Sequence, residues 1–156
     1  MKEINVVKEL RQQLKLFCKN TIYIKKIAIG EFNESGIPDL IGILNGRGFG
    51  IEVKIANSWP LSLMAAVIAE KKFTFDQLTN LTAIAKAGGI GCGFIAIQNE
   101  GVILPVDYLI NSRYPITKKM ITLFMQLHPE LKILRKSGRW QVNKIADYFI
   151  NFRSQL

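Results

Sequence analysis

Residues 49 to 55, Phe-Gly-Ile-Glu-Val-Lys-Ile, set the strongest condition on what this chain can become, because a carboxylate and an ammonium are embedded in an apolar run. Charges among apolar side chains are costly to bury unless they are paired or bound to something. Glu52 and Lys54 are two residues apart, so in a strand both point to one face while Ile51, Val53 and Ile55 point to the other. The segment before it, Ile37 to Leu44, begins with a proline and runs apolar, and Asn45-Gly46-Arg47-Gly48 separates the two as a tight turn. Together they predict a β-hairpin. Asp39 then stands at the start of one strand and can converge with Glu52 and Lys54 on the other. A plainer arrangement is also compatible with the spacing: a surface hairpin with Asp39 in a turn and the Glu52/Lys54 pair on its solvent face.

If the three side chains do converge, two close carboxylates repel each other unless a cation lies between them, and oxygen donors of this kind suit Mg²⁺, with Mn²⁺ able to substitute. A cation there would lower the pKa of a bound water and neutralise charge developing on phosphate oxygens. Lys54 would orient the attacking water or share the second task.

Gly36-Ile37-Pro38-Asp39-Leu40, a hairpin and Ile51-Glu52-Val53-Lys54 resemble the signature of the PD-(D/E)XK nucleases, and within them the Holliday-junction resolvases and VRR-NUC-type nucleases. The resemblance spans roughly residues 3 to 106 and includes the glycine-rich strand after residue 88; residues 113 to 156 match nothing recognisable. It implies a restriction-endonuclease-like α/β fold, a mixed β-sheet flanked by helices, and a Mg²⁺-dependent DNA endonuclease. It adds Gln77, in Phe75-Asp76-Gln77-Leu78 on the following helix, to Asp39, Glu52 and Lys54 as catalytic residues. The metal donors it implies are Asp39, Glu52 and the Val53 backbone carbonyl, with a carboxylate from the first helix, for which Glu9 is preferred over Glu3.

Around this motif the patterning predicts a helix over residues 3 to 18, with Ile4, Val7, Leu10, Leu14 and Phe17 at spacings of three and four. Thr21 to Gly30 reads as a strand, Asp76 to Lys86 as a helix ended by Gly88-Gly89, and Gly91 to Gln98 as a buried strand with a partner at residues 101 to 106. Residues 1 to 112 form the expected nuclease core, and residues 113 to 156 a basic extension with two helices, contacting DNA or a second copy. The stretch between Lys54 and Gln77 is long, with an apolar piece from Leu61 to Ala69 that fits a dimer contact, a substrate-gripping insertion or core equally well.

The formal charge of +9 points to a polyanionic partner, and it is uneven: +2 over residues 1 to 112 and +7 over residues 113 to 156. Ser35, Lys71, Lys72, Arg135, Lys136 and Arg139 are the candidate DNA contacts, with Trp140 able to stack on a base or to join the core. Glu31 and Glu34 shape the loop before the motif. Cys18 and Cys92 have no ligand spacing around them and read as reduced core thiols, and His128 reads as structural. No apolar run is long enough to cross a membrane and no signal peptide is recognisable, so a soluble intracellular protein, cytoplasmic or nucleoid-associated, is expected.

The expected partner is DNA and the expected assembly a homo-oligomer, a dimer or a tetramer, since two cuts on opposite strands need symmetry-related sites. A sequence-specific endonuclease of the restriction or homing type keeps the same chemistry and changes only the target. A non-catalytic DNA-binding protein on a nuclease scaffold is the reading from another class.

Overall fold

Leu10 and Leu14, with Val6 and Val7 a turn earlier, give the first helix one continuous apolar stripe, and all four are buried. That helix, α1 (Glu3–Cys18), leads through a short 3₁₀ turn into β1 (Ile22–Lys26). The computed structural model describes residues 1–27, 35–56, 73–111 and 118–152. The predicted hairpin follows as β2 (Leu40–Leu44) and β3 (Arg47–Ala56), joined at Asn45 and Gly46. Both turn residues have positive φ, 48° and 80°, the backbone that Asn-Gly adopts at the tip of a two-residue hairpin. Then come α2 (Phe75–Lys86), β4 (Ile90–Ile97), β5 (Glu100–Pro105), α3 (Val106–Asn111), α4 (Lys118–Leu127), β6 (Lys132–Lys136), β7 (Arg139–Trp140) and α5 (Val142–Asn151).

Among the described residues seven strands form one sheet in the order β1 to β7. Only β3 and β4 run parallel, because the chain between them crosses over through α2; the other neighbours are antiparallel. Every residue of β4 is buried, as a strand covered on both faces requires. Adjacent residues of β3 identify the two layers. Phe49 meets Phe149 of α5, ring centroids 4.8 Å apart. A Cβ on Gly50 would strike Ile84 of α2. α1 packs with α5 on the first face and α3 with α2 on the second. The architecture is thus the expected mixed sheet with helices on both sides.

The chain departs from expectation in its last quarter. Residues 113 to 156 were expected as two helices with a basic connector, yet Lys132 to Trp140 form a hairpin whose first strand pairs with β5. Ile133 and Trp140 carry it into the core, and Ser137-Gly138, both at positive φ, turn it. Trp140 is 3% exposed and stands edge-on to Phe94, with ring centroids 5.2 Å apart. Lys132 to Trp140 therefore extend the central sheet, between the two helices α4 and α5 that were expected there. The strand expected over Thr21 to Gly30 is shorter than expected, and its last three residues lie outside the described ones. So do Glu31, Glu34, Lys71, Lys72 and the apolar piece Leu61 to Ala69. No helix among the described residues is long and apolar enough to cross a membrane.

Candidate active site

The β2–β3 register decides what meets what. Leu40 pairs with Ile51, so Asp39, one residue before β2, shares a face with Glu52 and Lys54, while Leu40, Ile51 and Val53 turn toward α1 and α5. Asp39 is fixed from both sides: its Oδ2 accepts the Val53 N–H at 2.8 Å, and its carbonyl accepts the Ile27 N–H at 3.0 Å. In a strand the N–H and C=O of one residue point to the same edge, so the Val53 carbonyl also faces the Asp39 side.

Glu52 is only 3% exposed, the one charged residue among the fully buried ones described. Its Oε1 accepts from Lys54 Nζ at 2.6 Å and from Gln77 Nε2. Lys54 lies 5.9 Å from the centre of the Phe73 ring, a cation–π position. Phe73 can approach because Gly93, paired with Glu52 across β3 and β4, has no Cβ; one there would sit 2.4 Å from the ring. The ring therefore lies beside the Lys54 ammonium and over the strand residue that pairs with Glu52.

Gln77 is placed by the start of α2. Thr74 Oγ1 accepts the Gln77 N–H at 3.3 Å and Gln77 Oε1 accepts the Thr74 N–H at 2.9 Å, a reciprocal capping box. With its oxygen committed to Thr74, the amide turns its NH₂ toward Glu52. Thr74→Val should lower stability by about 1 kcal/mol while Thr74→Ser changes it little, as urea denaturation midpoints would report. Gly36, at φ 80°, lets its own backbone lie against this helix start, where a Cβ would meet the Asp76 and Gln77 backbone at 2.5 to 2.7 Å. Ser35 belongs to the same contact: its hydroxyl donates to Asp76 and its carbonyl accepts from Asn80 at 3.3 Å.

Burial pushes the Glu52 carboxyl up to about 7, with the Asp39 carboxylate adding to the rise and Lys54 opposing it. Asp39 is also raised, by burial, against the pull of the Val53 N–H, Lys54 and Lys26. Both carboxyls are shifted in the same direction, and a positive charge beside them would oppose that shift. Among the described residues no group of three or more Asp, Glu, His or Cys could hold a metal. The donors present are two carboxylates and a carbonyl, which fits a cation that keeps several waters.

Glu9 does not reach this centre. Its carboxylate takes both Arg135 Nε and Nη2, at 3.0 and 2.9 Å, and Trp140 Nε1 at 3.0 Å. It therefore locks α1 to the β6–β7 hairpin. The reason is helical phase and length: six residues from Glu3, it lies some 9 Å along the axis and on another face. Glu3, ranked second from sequence, is the helix carboxylate near enough to repel Glu52. The same ion pair occupies Arg135, expected as a DNA contact, and Trp140 is a core residue. Lys136 and Arg139 remain exposed at the hairpin tip. His128 packs on Phe124, ring centroids 4.7 Å apart, and both cysteines are free thiols. Sequence reasoning missed Lys26, Phe73 and Thr74; the Thr-x-x-Gln spacing of a capping box was the available signal for the last.

No protein family and no curated protein matches this chain. Among solved structures it is similar to Hjc of Archaeoglobus fulgidus. That protein is a Holliday junction resolvase from an archaeal hyperthermophile, 20% identical, with 74% of this chain and 91% of Hjc covered and a TM-score of 0.49.

Proposed function

We propose that this chain is a Mg²⁺-dependent DNA endonuclease that hydrolyses phosphodiester bonds. The observation that carries the reading is the buried Glu52 beside the half-buried Asp39, with Lys54 and Gln77 both engaged on the same oxygen of Glu52. Among the described residues, those bonds and the Val53 N–H leave Glu52 Oε2, Asp39 Oδ1 and the Val53 carbonyl to hold the ion. Bound there, Mg²⁺ supplies Lewis acidity toward the phosphodiester and its attacking water. Lys54, steadied by Glu52 and the Phe73 ring, offers its ammonium to the phosphate oxygens as negative charge builds on them. Gln77 holds the Glu52 carboxylate in one rotamer, so its free oxygen keeps its aim.

The net charge of +9 supplies the attraction for a polyanion, and Lys136 and Arg139 offer phosphate contacts. The branched target comes from the resemblance of the motifs to junction resolvases, and a homodimer follows from the need for paired cuts. The test is incubation of purified protein with a labelled four-way junction and a matched linear duplex, in Mg²⁺ or EDTA. Paired, Mg²⁺-dependent nicks in the junction are expected. Cutting of linear DNA at particular sequences would replace the branched target with a sequence-specific one, and no cutting of any DNA would sink the catalytic reading.

A further inference from the structure

The face that carries Asp39 and Glu52 continues past the site along β1 and β2. Residues of one parity share it: Ile41 and Ile43 on β2, Lys25 and Tyr23 opposite them on β1. Tyr23 and Ile43 pair directly and are 66% and 50% exposed. On β3 the next position is Gly48, opposite Ile43, where an added Cβ would meet nothing nearer than a backbone oxygen at 3.9 Å. The result is an open ledge with an aromatic ring, a flanking aliphatic side chain and a clear floor. Ile43 lies four residues from Asp39 along the chain, about 13 Å in extended backbone.

We infer that this ledge stacks an unpaired base of the DNA substrate, with Tyr23 as the platform and Ile43 as its side wall. The inference rests on the nuclease reading for the identity of the substrate. Two features favour a base. The ledge is continuous with the reacting face. Two side chains are far too little for a stable contact between copies, which needs about 800 Å² from each partner. A single planar base, by contrast, is matched to one tyrosine ring, and such stacking tolerates any base because each has a π-face.

The experiment is fluorescence anisotropy in EDTA, with a labelled fork carrying single-stranded arms and a fully paired duplex of the same sequence. Tyr23→Thr, which keeps strand propensity, should weaken fork binding about tenfold and duplex binding by less than about twofold. Tyr23→Phe should bind both DNAs as the wild type does. Equal losses on the two DNAs, or no loss, would overturn the inference. So would a sedimentation experiment in which Tyr23→Thr alone breaks an oligomer, because the ledge would then belong to a second copy. If the wild type cuts no DNA but the fork-specific loss is present, hydrolysis fails and stacking stands. If it cuts DNA and Tyr23→Thr binds the fork normally, stacking alone fails.

Discussion

Glu52→Gln should abolish cleavage, by on the order of a thousandfold or more, and at the same time make the metal-free protein more stable at pH 8. The two effects have one cause. The Glu52 carboxyl titrates near 7 in the fold and near 4.5 when unfolded, because burial and Asp39 disfavour its charge. The folded state thus holds a proton that the unfolded chain releases between those values. Stability is full below pH 4.5 and falls as the pH rises through 7, by about 3 kcal/mol at 1.36 kcal/mol per unit. Glutamine carries no charge, so this slope should flatten in the variant, Asp39 retaining a smaller one of the same sign. Added Mg²⁺ should stabilise the wild type at pH 8 and do little for Glu52→Gln. Urea midpoints across a pH series in EDTA and in Mg²⁺, beside a cleavage assay, read all of this. Parallel pH profiles for the two proteins would mean that Glu52 is not strained in the fold.

Trp140→Ala should be the most destabilising single change in the last quarter of the chain, costing about 3 to 5 kcal/mol. The ring is buried against Phe94, its Nε1 donates to Glu9, and its backbone N–H donates to Gln13 at 2.7 Å. Truncation removes the packing and one of these bonds, and leaves a cavity between α1 and the sheet. At about 2 to 4 °C per kcal/mol for a chain of this size, the melting temperature should fall by roughly 10 °C or more. Trp140→Phe, which keeps most of the packing and loses only the indole donor, should cost much less. If Trp140→Ala melted within about 2 °C of the wild type, β6 and β7 would be a flap on the sheet and not part of its core.

Much of the candidate site was legible because it rests on short-range geometry. Two residues along a strand fix Glu52 and Lys54 to one face whatever the rest of the chain does. The hairpin brings Asp39 alongside because Asn45-Gly46 allows a tight turn and the apolar residues select the register that buries them. Gln77 was reachable by resemblance, and the capping box that orients it is also a local pattern.

What the sequence could not supply were relations between segments far apart in it. Glu9 and Glu3 sit on one helix with equal chemical claim to a metal, and only the packing of α1 sends one to Arg135, 126 residues away, and leaves the other near Glu52. Lys132 to Trp140 lost its strand signal to its positive charge, yet an unpaired edge on β5 gave it backbone partners. The rise in the Glu52 pKa comes first from burial and then from the Asp39 carboxylate, and the burial is made by segments far apart in the chain, which no local window contains. The sequence by itself determined the reactive groups and the face that displays them, because strand periodicity is local. The tertiary structure alone decided which charges are buried, paired or exposed, because desolvation depends on every segment that packs around them.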